Sequence, residues 1–272
     1  MNPIKLVVSD VDGTLVDKEK RLAPATADAV ARLRGAGCAF TIISARPVSG
    51  MRPLADTLAI DHPMGAFNGG IVWTRAGGVS EHHVVDPAVA RGVFECVGDL
   101  AVDRWVFADD RWYSSTDRGV HVEHERVASN SREEVRADFG EFLDRADKIT
   151  FVSDTPAVLA ELHARIDARF AGQATVGQSQ TYYLDITALE ANKGAGIVAL
   201  AAAIGVGLDA TAAIGDQNND LPMLGLAGYS VGMGNAPANV QAAADAVTAA
   251  NDADGVAHAI DAFILPRIGV PT

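Results

Sequence analysis

Cysteine is nearly absent from these 272 residues: Cys38 and Cys96 are the only two, too few for a disulfide framework or a cysteine-built zinc site. Basic charge is scarce as well. Lys and Arg total 22 against 35 Asp and Glu, a net charge of −13. That balance argues against a nucleic-acid partner, because phosphate backbones are held by clustered cations. A small anionic ligand remains compatible with it, provided its own site is locally positive or carries a metal. Long apolar runs are missing too. The richest, IVALAAAIGVGL from Ile197, falls well short of the roughly 20 residues a membrane-spanning helix needs. The amino terminus lacks a basic region followed by an apolar stretch. The chain reads as cytoplasmic with no membrane partner, and its oligomeric state is open. The histidines are few and poorly grouped. His82 and His83 are adjacent and would point to opposite faces of a strand, while His121 and His124 suit a helical pair with nothing nearby to complete a site. All four read as solvated.

What is present is a large apolar fraction, 49% of residues, enough to bury a sizeable core in one large domain or two smaller ones. Up to about residue 75, short apolar runs alternate with helical patterns: the strand IKLVVS, a helix from Pro24 to Gly37, the continuous strand CAFTIIS, a helix near residues 47–58 and the strand MGAF. Continuous apolar strands typify parallel sheets buried on both faces. The alternation resumes after residue 190 with ATAAIG, YSVGM and AVT between helical segments, which predicts a doubly wound α/β sheet. Residues 83–188 differ. They hold Trp105, Trp112, Tyr113, Tyr182 and Tyr183 with polar strands around two helical patterns, the composition of an inserted α+β unit. Within it, ERVASNSREEVRA is polar enough to predict a mobile loop leading into a helix.

Residues 4–16, IKLVVSDVDGTLV, run as an apolar strand into two aspartates one residue apart. Side chains alternate along a strand, so Asp10 and Asp12 project to one side if extended backbone persists through Val11. Like charges that close either share a proton or hold a cation between them. Taken alone, Asp-Gly is also an ordinary turn after a buried strand. Three further stations fall at strand ends or helix starts, where open parallel sheets bind ligands. They are Ser44 in TIISAR, Lys193 in ANKGAGI, and GDQNND with Asp216, Asn219 and Asp220.

In this order the segments resemble the haloacid dehalogenase (HAD) superfamily phosphatases, of the Cof-type branch with a large type B cap inserted between two halves of the core. The resemblance spans nearly the whole chain. D-x-D-G-T-L, a strand-terminal Ser before x-Arg, a helix-opening Lys and G-D-x-x-N-D come in the family's order, joined by NGG at 68–70 and GMGNA at 232–236. It implies a Rossmann-like core of residues 1–82 and 189–272 with residues 83–188 as the cap. It further implies Asp10 as nucleophile and Asp12 as general acid and base. Mg²⁺ would be held by the Asp10 side chain, the Asp12 backbone carbonyl and the Asp216 side chain. Asn219 and Asp220 would orient the metal's waters or Lys193. Ser44 and Lys193 would face the transferring phosphoryl oxygens, and Arg46, Asn68 and Gly69 are further candidates for contacting substrate or phosphate. Two departures are small: Ser-Ala-Arg stands for the commoner Thr-Gly-Arg, and N-G-G for N-G-A. Serine keeps the hydroxyl.

The activity so implied is Mg²⁺-dependent hydrolysis of a small phosphomonoester, such as a sugar phosphate, through an aspartyl phosphate. The uncatalysed reaction is among the slowest known, so a covalent intermediate and dense charge stabilisation are both useful. A phosphomutase or other phosphotransferase shares that intermediate and differs only in acceptor. A nucleotide-sugar transferase also uses D-x-D but does not predict Lys193 or GDQNND. The cap would act as a lid that selects the leaving group, hinged near Glu81–Val85 and Thr187–Asn192, with its aromatics either grasping that group or filling the cap's own core.

Overall fold

The computed structural model describes residues 2–269. Its parallel sheet takes the apolar runs at both ends of the sequence: β1 (Leu6–Ser9), β2 (Ala39–Ile42), β12 (Thr211–Gly215), β13 (Tyr229–Gly232) and the short β14 (Ala246–Val247), in the order β14-β13-β12-β1-β2. Both neighbours of β1 run parallel to it, with Ser9 level with Ile214 on one side and Ile42 on the other. Alternation sends Val7, Phe40, Ile42, Ala212 and Ile214 into one apolar cluster, shared with α1 (Pro24–Gly35) and α9 (Gly255–His258). Leu6, Val8 and Ala213 enter a second cluster with α6 (Lys193–Ile204), α7 (Leu221–Leu226) and α8 (Ala238–Ala243). Burial on both faces is why these strands carry almost no polar side chains. Cys38 is buried among them, as a small core residue.

The strand expected at MGAF forms as β3 (Met64–Ala66), but it pairs antiparallel with β4 (Ile71–Trp73), and β4 with β5 (Val79–His82). The bridge between Ile43 and Gly65 ties this small sheet to the end of β2, and the Ser44 amide donates to the Gly65 carbonyl at 2.9 Å.

The inserted unit holds a third sheet, in the order β10-β11-β9-β6-β7-β8. Its strands are β6 (Asp103–Ala108), β7 (Arg111–Ser114), β8 (Glu133–Val135), β9 (Lys148–Val152), β10 (Thr175–Gly177) and β11 (Tyr183–Thr187). Helices α3 (Pro87–Val97) and α5 (Pro156–Phe170) share an apolar cluster with one face of it, built on Val106, Ile149, Phe151 and Leu184. The other face, with Trp105, Phe107, Trp112 and Tyr183, belongs to the cluster that contains Met51 and Phe67 of the parallel-sheet half. Phe67 and Phe107 meet across this boundary with ring centroids 5.8 Å apart. Trp105, Trp112 and Tyr113 are therefore packing residues.

ERVASNSREEVRA is not a loop. It forms most of α4 (Val122–Ser129) and then β8. The charges that suggested solvent are satisfied locally, since Arg126 pairs with both Glu123 and Glu133, while Val122 and Ala128 are buried. Helix α2 (Val48–Thr57) lies against α4. Among the described residues, no helix is long and apolar enough to cross a membrane.

Candidate active site

Three adjacent parallel strands end at one place. Asp10 follows β1, Asp216 follows β12, and Ser44 lies two residues beyond β2. Lys193 opens α6, whose first turn is capped by Asn192 accepting from the Ala195 amide at 2.9 Å. Its ammonium reaches back between two carboxylates, Nζ lying 2.5 Å from Asp10 Oδ1 and in contact with Asp220 Oδ1. All three side chains are buried. Burial would lower the lysine's pKa, yet the two aspartates hold it above its ordinary value.

Asp10 and Asp12 do not face each other as neighbours on one strand. The strand stops at Ser9, and the Val11 carbonyl accepts from the amides of Thr14, Leu15 and Val16 in a turn. Their carboxylates consequently have different partners. Asp12 accepts from Lys20 Nζ at 2.6 Å, from Arg46 Nη2 at 2.7 Å on the same oxygen, and from Arg46 Nε at 2.7 Å on the other. Burial opposes ionisation there, but the Arg46 guanidinium and the Lys20 ammonium hold the carboxyl well below the usual carboxylate range.

Asp216 has no such cation. Its Oδ1 accepts from Thr14 Oγ1 at 2.9 Å, and Asn235 Nδ2, from the GMGNA segment, stands 3.4 Å from its Oδ2. Gly13 passes so near, at φ +83°, that a Cβ would lie 2.4 Å from Asp216 Oδ2. This is the physical reason for glycine after Asp12. Burial, then the charges of Asp10 and Asp220, push the Asp216 carboxyl up to about 8. Asp10 is raised to about 6, again mainly by burial, with Lys193 opposing.

Asp10, Asp216 and Asp220 offer oxygens within 4.8 Å of one another. Asp220 is otherwise committed: besides Lys193, its Oδ2 accepts from the amides of Asp216 and Gln217, both at 2.8 Å. Asn219 Oδ1 is buried without a hydrogen-bond partner among the described residues. Three carboxylates sharing a single ammonium, with Asp216 lacking any ion pair among the described residues, stand beside an orphaned amide oxygen and form an oxygen donor set that suits a hard divalent cation.

Ser44 is buried, its Oγ accepting from the Arg46 amide at 3.2 Å. Asn68 holds a left-handed backbone (φ 60°), its amide donates to the Ser44 carbonyl at 2.7 Å, and its Oδ1 is buried without a partner among the described residues. Gly69 packs against α6, where a Cβ would come within 2.7 Å of Gly196 Cα. Neither Asn68 nor Gly69 lines the cavity above Asp10, whereas Ser44, Arg46, Lys193 and Asn219 do.

The inserted unit closes that cavity to about 40 Å³, room for a few water molecules. Its wall contains three charged residues the sequence did not single out, Lys20 from the loop after β1 and Glu125 and Lys148 from the inserted unit, together with His124 and with Tyr183, one of the aromatics expected to grasp the leaving group or fill the cap's core. Four cations, Lys20, Arg46, Lys148 and Lys193, face three carboxylates, Asp10, Asp12 and Glu125, on the cavity wall, with Asp216 and Asp220 behind it, a concentration of positive charge in a chain of net charge −13. Two of the four histidines depart from the solvated reading: His121 stacks on Tyr182 with centroids 3.6 Å apart, and half-buried His124 is pushed down to about 4, chiefly by burial. His82 is exposed, as expected, although its Nε2 meets the buried Asp147 at 2.5 Å. Of the signals available, only GMGNA could have pointed to a missed residue, Asn235.

Residues 7–260 match the family of haloacid dehalogenase-like hydrolases. The chain belongs to that family. A Streptococcus pyogenes serotype M6 protein, provisionally named a phosphatase, is 28% identical over 269 residues, covering 96% of this chain and 99% of its own. A crystal structure of a haloacid dehalogenase-like hydrolase from Bacteroides thetaiotaomicron is 27% identical, with a TM-score of 0.83 over 95% of this chain and 98% of that one. A HAD subclass IIB sugar phosphatase, 24% identical and matched over 95% of this chain and 98% of its own at a TM-score of 0.81, shares the fold. The Rossmann-like core with an inserted cap is thus a HAD architecture, and the chain is a haloacid dehalogenase-like hydrolase.

Proposed function

We propose that the chain is a Mg²⁺-dependent phosphatase that hydrolyses a small phosphomonoester through an aspartyl phosphate on Asp10. The observation that carries this reading is the Lys193 ammonium 2.5 Å from Asp10 Oδ1, in a cavity whose wall has more cations than anions. An incoming phosphate dianion finds positive charge there, and Asp10 is held as an oxygen nucleophile.

Asp10 and Asp216 would hold the cation with the Asp12 carbonyl, Asn219 and Asp220 supporting them. When bound, it would supply charge neutralisation between carboxylates and phosphate. In the first half-reaction an Asp10 oxygen bonds to phosphorus as the ester P–O bond breaks, and the departing alkoxide takes a proton from Asp12. In the second, water adds to phosphorus, its proton passes to Asp12, and the Asp10–phosphorus bond breaks to release inorganic phosphate. The ionised Asp12 found here is the form the second half needs. Donating a proton in the first half requires Lys20 or Arg46 to relax its hold. Ser44 and Lys193 would bind the phosphoryl oxygens.

We take residues 83–188 as the cap over a core of residues 1–82 and 189–272, hinged near Glu81–Val85 and Thr187–Asn192. The cap packs directly on the core here, Phe67 against Phe107 and Lys148 on the Ala45 carbonyl, so we read substrate entry and product release as requiring the cap to lift. Turnover of p-nitrophenyl phosphate tests the reading. Asp10→Asn should lower kcat by several orders of magnitude at unchanged melting temperature, and EDTA should abolish activity that Mg²⁺ restores. Near-normal turnover of Asp10→Asn would overturn the mechanism, and release of phosphate only onto a sugar acceptor would favour a phosphotransferase.

A further inference from the structure

The cap contributes a carboxyl that neither the fold nor the phosphate chemistry accounts for. Helix α4 buries Glu125 to 5% exposure against the cavity. Among the described residues its side chain receives one hydrogen bond, from the Tyr183 hydroxyl, and that is long, 3.3 Å to Oε2. The other acids nearby are better served: Asp12 has three charged donors, and Asp220 has Lys193 and two amides. Lys148, on the same wall, donates to the Ala45 carbonyl at 3.1 Å and approaches Asp185 at 3.9 Å. It makes no ion pair with Glu125 among the described residues. Burial accordingly pushes Glu125 up to about 7. The residue before it shares the anomaly: His124 also lines the cavity, and its Nδ1 is buried with no partner among the described residues. Buried polar groups in a finished core are paired. Two consecutive residues with unused hydrogen-bonding capacity, on a wall shared with Asp10 and Asp12, are instead suited to a ligand that brings the missing partners.

We propose that Glu125, assisted by His124, determines specificity by accepting hydroxyl groups of the ester's alcohol moiety and rejecting esters whose alcohol carries a carboxylate. A hydroxyl donating to Glu125 makes the charge-assisted bond the carboxylate lacks. A second carboxylate there would be set directly against Glu125 in a desolvated wall, with Asp185 and Asp12 adding to the repulsion and Lys148, already donating to the Ala45 carbonyl, opposing it. Sites that leave a buried polar group unpaired with the wrong substrate discriminate strongly. The inference rests on the phosphatase reading given above.

The test compares kcat/KM for glycerol 3-phosphate and 3-phosphoglycerate, which share a carbon skeleton, using the intact chain with Mg²⁺ at pH 8. The wild type is expected to prefer the hydroxylated ester, and Glu125→Gln to reduce that preference at least tenfold, mainly by admitting the carboxylate ester. His124→Ala, a change at a half-buried position, should reduce it three- to tenfold and stands in if Glu125→Gln does not fold. A purely structural role would lower both esters in parallel, so an unchanged preference in the folded variants overturns the inference. The underlying phosphatase reading fails separately, if the wild type turns over neither these esters nor p-nitrophenyl phosphate.

Discussion

Lys20 Nζ lies 2.6 Å from Asp12 Oδ1, on a backbone held at φ 63°. A non-glycine residue in that left-handed region costs roughly 1–2 kcal/mol, and such strain persists where the surroundings over-determine it. Here a buried ion pair with Asp12 offsets it, the lysine side chain being 9% exposed and the aspartate 19%.

Replacing Lys20 by Met should therefore cost about 1–3 kcal/mol of stability at pH 7. Asp12 has its folded-state pKa depressed, so the stability it contributes is present above the unfolded value near 3.8 and is lost as pH falls through the folded one. Unfolded Asp12 titrates alike in both proteins, so the melting-temperature gap between variant and wild type should be full at pH 7 and close only as pH falls through the folded-state value, well below 3.8. A double-mutant cycle with Asp12→Asn at pH 7 is the check, and a Lys20→Met cost unchanged in the Asp12→Asn background would show that Lys20 acts other than through Asp12. With one of its three charged donors gone, Asp12 is also less well aimed, and kcat should fall by about tenfold.

The same pair illustrates what the sequence conveys. Asp10, Ser44, Lys193 and Asp216 were legible because each sits at a strand end or helix start, positions that a run of apolar residues makes visible. The parallel sheet was legible for the same reason. Lys20 was not, because DKEKR reads as a solvated turn and nothing local reveals that Asp12 lies within reach. Glu125 and His124 were hidden more deeply, since their burial comes from the docking of α4 beside α2 and β11, contacts between residues far apart in sequence. The strand-like approach of Asp10 and Asp12 failed for a local reason: Val11 turns the chain, and alternation stops with it.

Protons and Mg²⁺ should compete for the strand-end carboxyls. Asp10 and Asp216 are raised to about 6 and about 8, mainly by burial. For carboxyls raised in this way, the metal-free stability is fully present below about 3.8 and is lost as pH climbs through 6 and then 8. Deprotonated oxygens are what the cation binds. The melting-temperature increment from millimolar Mg²⁺ should accordingly grow between pH 5.5 and pH 8.5, and Asp216→Asn should remove most of it. An increment equal at both pH values would place the cation elsewhere.

Closure of the cap depends on one missing side chain. At Gly50, inside α2, a Cβ would lie 2.2 Å from the Ala128 carbonyl oxygen and 3.0 Å from Ser129 Cα, both on α4. Backbone cannot yield as a flexible side chain would, so Gly50→Val must push α4 away, and with it His124 and Glu125. The core itself has no reason to suffer, since replacing glycine within a helix favours the helix by several tenths of a kcal/mol. Two further ties across the same boundary would stretch: Lys148 to the Ala45 carbonyl at 3.1 Å, and Asn130 Nδ2 to the Ser49 carbonyl at 3.5 Å. Gly50→Val is expected to keep its melting temperature within a few degrees and to retain inhibition by inorganic phosphate, whose proposed ligands Ser44 and Lys193 lie in the core. Its kcat/KM for hydroxylated esters should drop by about 100-fold, the scale of a misplacement near 1 Å, and Gly50→Ala should lie between the two. Full activity in a folded Gly50→Val protein would mean that the closed contact between α2 and α4 is not required for turnover.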